Sequence, residues 1–91
     1  MENKEVKFIK ELFYTLGRSE KEAILKESNL DNKELKLLKA RLIEGLSIKE
    51  ISNLYGLEID TYNKTYHRAM LKLYAWLERK AIALNIDLTN F

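Results

Sequence analysis

The sequence predicts an all-α fold, a small helical bundle of about five helices that contains a helix-turn-helix. Three observations predict it. Proline is absent and glycine occurs only at positions 17, 45 and 56, too few turn residues for an architecture of strands and hairpins. Ser19–Glu22, Asp31–Glu34 and Ser47–Glu50 each have the form of a capping box. In that device a short oxygen-bearing side chain and a carboxylate three residues on satisfy free amides at a helix start. Finally, apolar residues recur at helical spacing, three and four apart, along most of the chain.

Each element can be justified in turn. From Glu5 to Leu16 the residues Val6, Ile9, Phe13 and Leu16 form one stripe, widened by Phe8 and Leu12, and Gly17 is expected as a left-handed stop. A short helix through Ala23, Ile24 and Leu25 should follow the Ser19 box. Asp31 should open a helix with Leu35, Leu38 and Leu42 on its inner face, closed by Gly45. Ser47 should open another, with Ile48, Ile51 and Leu54 inward, closed by Gly56. The two glycines thus end consecutive short helices, and the small Ser52 suits a close crossing. The last helix should begin between Glu58 and Thr61 and continue toward Leu84. At about 100° per residue, Tyr62, Tyr66, Ala69, Leu73, Leu77 and Leu84 share its inner side, opposite Lys64, Arg68, Lys72 and Arg79. Glu58 is a poor cap, so Asp60 is expected to start this helix late. The last seven residues have no clear period.

Ninety-one residues suffice for one core, so the chain is read as a single domain. Residues 1–30 form a helical extension, 31–73 the helix-turn-helix core, and 74–91 a C-terminal helix and tail. No apolar run approaches a membrane span, the first ten residues carry charge where a secretion signal needs apolar residues, and cysteine is absent. These features predict a cytoplasmic protein without disulfides. One histidine, no cysteine and no glycine-rich phosphate loop leave no catalytic arrangement, no metal site and no cofactor to propose. An enzyme is not expected.

Charge is informative by position rather than in total. The net charge is only +2, yet residues 61–72 hold Lys64, Arg68 and Lys72 without a single acid. A helix that is apolar behind and basic in front, preceded by a tightly turned partner helix, is what major-groove binding requires. Ser47 and Lys49, at the start of the preceding helix, would offer exposed amides to a backbone phosphate.

The stretch from Glu34 to Leu73, ELKLLKARLIEGLSIKEISNLYGLEIDTYNKTYHRAMLKL, resembles region four of bacterial sigma factors, the promoter-binding C-terminal domain. It is also similar to LuxR-type DNA-binding domains. EGLSIKEI, the Gly-Leu turn, Thr61 and HRAMLKL carry the resemblance, which covers about forty residues. It implies double-stranded DNA as partner, with Thr61, Asn63, Lys64, Thr65 and Arg68 facing the duplex and His67 near a phosphate. It also implies docking on RNA polymerase. Asparagine suits adenine, lysine and arginine suit guanine edges or phosphates, and threonine suits either. Glu58 replaces the serine usual in the family, and Tyr62 a small aliphatic residue; Glu58 and Asp60 bring negative charge to the groove-facing end. The polymerase-core-binding and promoter-melting parts of a sigma factor are absent. The expectation is a small stand-alone transcription regulator, bacterial or phage-encoded.

Other readings stay open. A lysine-arginine stripe is also what a solvated helix face looks like. Tyr62 and Tyr66 read as core residues with wet hydroxyls, base stacking being the alternative. Leu71, Ala75 and Ile82 fall opposite the core stripe, flanked by Tyr74 and Trp76. A helix apolar on two sides needs a second partner: the Phe8–Phe13 helix, a second copy in a homodimer, or another protein. The same fold would also serve as a protein-binding module that docks on RNA polymerase or inhibits another protein.

Overall fold

In the computed structural model, which describes residues 3–83, five α-helices follow one another. They are α1 (Lys4–Thr15), α2 (Arg18–Glu27), α3 (Asn32–Leu38), α4 (Ile48–Tyr55) and α5 (Ile59–Ala83). A π-helical turn, Lys39–Ile43, continues α3. No strand occurs among the described residues. Leu84 and the tail lie outside them.

Local chemistry sets the helix starts. Asn3 Oδ1 accepts from the Glu5 amide at 2.7 Å and caps α1. At α3 the Glu34 amide donates to Asp31 Oδ1 at 2.8 Å, while the Asp31 amide donates back to Glu34 Oε1 at 3.1 Å. At α4 the Glu50 amide donates to the Ser47 hydroxyl and the Ser47 amide to Glu50 Oε1, at 3.1 and 3.0 Å. These are the two boxes expected. The third is displaced: α2 starts after Gly17, whose amide donates to Glu20 Oε1 at 3.1 Å, and Glu22 pairs with Arg18 instead. Gly17 is extended (φ −78°, ψ 167°) and therefore begins a helix rather than ending one. The left-handed residue between α2 and α3 is Asn29, φ 63°, a residue type whose short amide tolerates that region.

Gly45 and Gly56 do have the expected positive φ, 71° and 64°. A Cβ at Gly56 would meet nothing within 4 Å, so Gly56→Ala isolates the conformational cost of about 1–2 kcal/mol. The expected outcome is a melting temperature lowered by about 5–15 °C, measured by circular dichroism. Gly17→Ala, in extended backbone, carries no such strain; its cost is the loss of a favoured N-cap residue and a Cβ 3.3 Å from Glu20 Oε1, about 0.5–1 kcal/mol.

The π-helical turn alters the register. Glu44 donates to the Lys39 carbonyl and Leu46 to the Ala40 carbonyl, both at 3.0 Å. Widening the turn rotates the residues that follow relative to an α-helical count. Leu42 in this turn is half-buried and Ala40 deep; ahead of it, α3 already faces the core through Glu34, Leu37 and Leu38, with Leu35 of the expected face half-buried. In α4, Ile51 is buried and Ile48 half-buried, but Leu54 is 61% exposed. It lies about 60° of helical rotation beyond Ile51 on the side away from Ile48.

Around these elements a single core forms. Ile9 and Phe13 of α1, Leu37 and Leu38 of α3, Ile51 of α4, and Tyr62, Met70 and Leu73 of α5 are all fully buried. Helix α5 begins at Ile59, earlier than an Asp60 start, with the Tyr62 amide donating to the Glu58 carbonyl at 2.9 Å. It packs against α1, α3 and α4, and toward its C-terminal end the Phe8 and Tyr74 rings meet edge-on at 5.5 Å.

Candidate nucleic-acid interface

A three-residue turn, 56–58, separates α4 from α5. Leu57 donates to the Ser52 carbonyl at 2.9 Å and tightens it. Ser52, 7% exposed, lies at the middle of α4 as the small residue there was expected to, although its buried hydroxyl has no partner. Behind the first turns of α5 stand Ile51 and Tyr62, both fully buried. The start of α5 is therefore braced from the core side.

On its outer side Thr61, Asn63, Lys64, His67 and Arg68 are all exposed. Lys64 and Arg68, one turn apart, share a face, and neither takes part in a salt bridge among the described residues. Leu71 (half-buried) and Ala75 (exposed) continue the same ridge toward the C-terminus. Glu58 and Asp60 are exposed at the entry to α5.

Two of the residues expected on this face behave differently. Thr65 is only 9% exposed; it lies about 100° round the helix from Lys64, toward Ala69 and the core, and presents no group to a groove. Lys72 Nζ lies 2.9 Å from Glu34 Oε1, a carboxylate 2% exposed against 46% for the lysine side chain. Glu34 Oε1 thus receives both the Asp31 amide and Lys72, while Oε2 is buried without a partner. Burying a carboxylate demands a compensating cation, and Lys72 supplies it. Its first duty is structural.

At the start of α4, Ser47 and Lys49 are exposed, but the capping box engages the amides of Ser47 and Glu50. The Ser47 amide, then its hydroxyl, hold the Glu50 carboxyl below its ordinary pKa, so a negative charge sits in the first turn of α4 against the Ser47 amide. That charge opposes a phosphate there. Tyr62 also departs from expectation: its hydroxyl is buried and unpartnered rather than wet. Burial pushes its pKa up, with the Arg41 charge acting in the opposite direction.

The second apolar side divides. Tyr74 packs on Phe8 of α1, so part of it is satisfied within the chain. Trp76 is half-buried, with the Lys80 ammonium 5.6 Å from its ring centre. The side chain of Ile82 lies outside those described.

Sequence reasoning missed the Glu34–Lys72 pair. One signal was available: Glu34, Leu37, Leu38 and Arg41 follow the i, i+3, i+4, i+7 spacing of an inner stripe. It marked Glu34 as inward-facing as well as capping. No signal gave its partner, 38 residues on.

No family model matches the chain, and no curated protein or solved structure matches it.

Proposed function

We propose that the protein is a DNA-binding transcription regulator that works in the cytoplasm and presents α5 to the major groove of a duplex. The observation that carries this reading is the pairing of an exposed Lys64–Arg68 face with a fully buried Tyr62–Ile51 backing, directly after a three-residue turn. A helix fixed from behind and cationic in front loses little freedom on entering a groove. Asn63 and His67 on the flank add donors suited to base edges and phosphates. The resemblance of residues 34–73 to sigma region four supports the same reading. Among the described residues no helix is long and apolar enough to cross a membrane.

Within this reading Lys64, Arg68, Asn63, Thr61, His67 and Lys49 contact DNA. Thr65 supports the helix from inside, and Lys72 contributes its charge only after serving Glu34. Selection from a random duplex library should enrich one motif. With about three phosphates neutralised, affinity should fall roughly 40-fold between 50 and 200 mM salt, from a slope near −0.9 per phosphate. Failure to enrich any motif, with a flat salt response, overturns the proposal.

A second reading is favoured by a separate observation. Leu54, Tyr55 and Ile59 are 61, 42 and 49% exposed around the turn, beside Glu58 and Asp60. Exposed apolar side chains beside two acids suit a protein partner rather than phosphate. In this reading the module docks on a protein such as RNA polymerase, alone or together with DNA.

A further inference from the structure

We propose that the cleft between α1, α2, the π-helical turn and α5 binds the phosphoryl group of a small phosphorylated molecule, at a site separate from the duplex-facing side of α5. Three cations from three elements line it: Lys10 of α1, Lys21 of α2 and Arg41 of the π-helical turn, together with Tyr14 and Tyr66. Its volume is about 180 Å³, many times the roughly 10–15 Å³ that a single water needs. Phe13 and Leu42 complete the lining, and among the described residues no carboxylate belongs to it.

Two of the cations are held by neutral acceptors. Lys21 Nζ donates to the Leu42 carbonyl at 3.4 Å and Arg41 Nη1 to the Leu46 carbonyl at 2.9 Å. A carbonyl fixes the direction of such a group without cancelling its charge. Each bond uses one donor, leaving two on the ammonium and four on the guanidinium. Arg41 is half-buried, so its field acts in a partly desolvated setting where charge counts for more. Fixed cations in a concavity concentrate anions. Lys21 and Arg41, each fixed by a carbonyl, with Lys10 lining the same cleft, match a phosphate dianion better than a single carboxylate.

The π-helical turn supports the assignment independently. Such wide turns sacrifice regular hydrogen bonding and recur at functional sites. Here the turn supplies both Arg41 and the Leu42 carbonyl that holds Lys21. Tyr14 adds a flat ring, 88% exposed, at the side of the cleft, a surface on which an aromatic base can stack. The ligand is not the duplex. Tyr66 follows Lys64 by two residues, about 200° round the helix, so the cleft opens away from the Lys64–Arg68 face.

The test is a nuclear magnetic resonance titration of the intact chain with inorganic phosphate and, separately, adenosine monophosphate, ionic strength being held constant with sodium chloride. Saturable shifts centred on Tyr14, Lys21, Arg41 and Leu42 are expected with at least one of the two. Tighter binding of the nucleotide identifies a stacked base as part of the ligand; equal binding identifies the phosphoryl group alone. The Lys10→Gln/Lys21→Gln variant should lose at least tenfold in affinity with its circular dichroism unchanged. The Lys33→Gln/Lys36→Gln variant, with the same charge removed from α3, should bind as the parent does. Linear, unsaturated shifts with both probes, or equal losses in the two variants, overturn the proposal. Either result leaves the reading of α5 untouched, since neither variant alters the Lys64–Arg68 face.

Discussion

A chain carrying Lys64→Glu and Arg68→Glu is expected to lose specific duplex binding while melting at nearly the same temperature as the parent. Both side chains are exposed, and neither is tied into a salt bridge among the described residues. Removing them leaves no buried group without a partner, and surface changes of that kind stay within about 0.5 kcal/mol. At a duplex the effect is different. Each lost contact weakens binding by about 1–3 kcal/mol, and each introduced carboxylate adds repulsion against phosphate. Together they should lower affinity by more than about a hundredfold. Fluorescence anisotropy on the selected duplex reads the loss, and a thermal melt confirms the fold. The milder Lys64→Gln should reduce the log–log salt slope by about one. Undiminished binding by the double variant would rule out α5 as the duplex-facing element.

Lys72→Ala should have the opposite signature, a stability loss large for a chain of this size. The Glu34 carboxylate stays buried with its cation gone. Breaking a fully buried pair costs about 3–5 kcal/mol; because the Lys72 side chain is half exposed, about 1–3 kcal/mol is expected. Small domains have only about 5–15 kcal/mol in total, so the melting temperature should fall by about 5–20 °C. Adding Glu34→Gln should recover much of this. The glutamine oxygen still accepts from the Asp31 amide, and the amide side chain needs no cation. Chemical denaturation of the two single variants and the double closes a cycle whose coupling is expected near 1–2 kcal/mol. Additive losses would show that Lys72 does not compensate Glu34. A contact residue whose only task is to meet phosphate would leave the melt unmoved.

These two lysines also mark how far the sequence could be read. The helices, the Asp31 and Ser47 boxes, the Gly45 and Gly56 turns and the three-residue connection were all legible, because each is decided by groups within a few residues of one another. The exposure of Lys64 and Arg68 followed from a 100° step along an uninterrupted helix. Lys72 obeyed the same count, but its partner comes from α3 and depends on how two helices meet. Thr65 shows the limit of an analogy, since the resemblance placed it toward DNA and the rotation of α5 places it inward. Gly17 shows competition between two plausible starts: Glu20 reaches the Gly17 amide and settles α2 two residues before Ser19. The cleft of Lys10, Lys21 and Arg41 was illegible. Its residues come from three elements, and one depends on a π-helical turn that has no simple sequence code.

The length of α5 has a mechanical consequence. Its 25 residues make a rod of about 37 Å that leans on α1, α3 and α4 in turn. No joint interrupts it, so α1, α3 and α4 all bear on one continuous helix. The helix that Phe8 meets at Tyr74 is therefore the same one that carries Lys64.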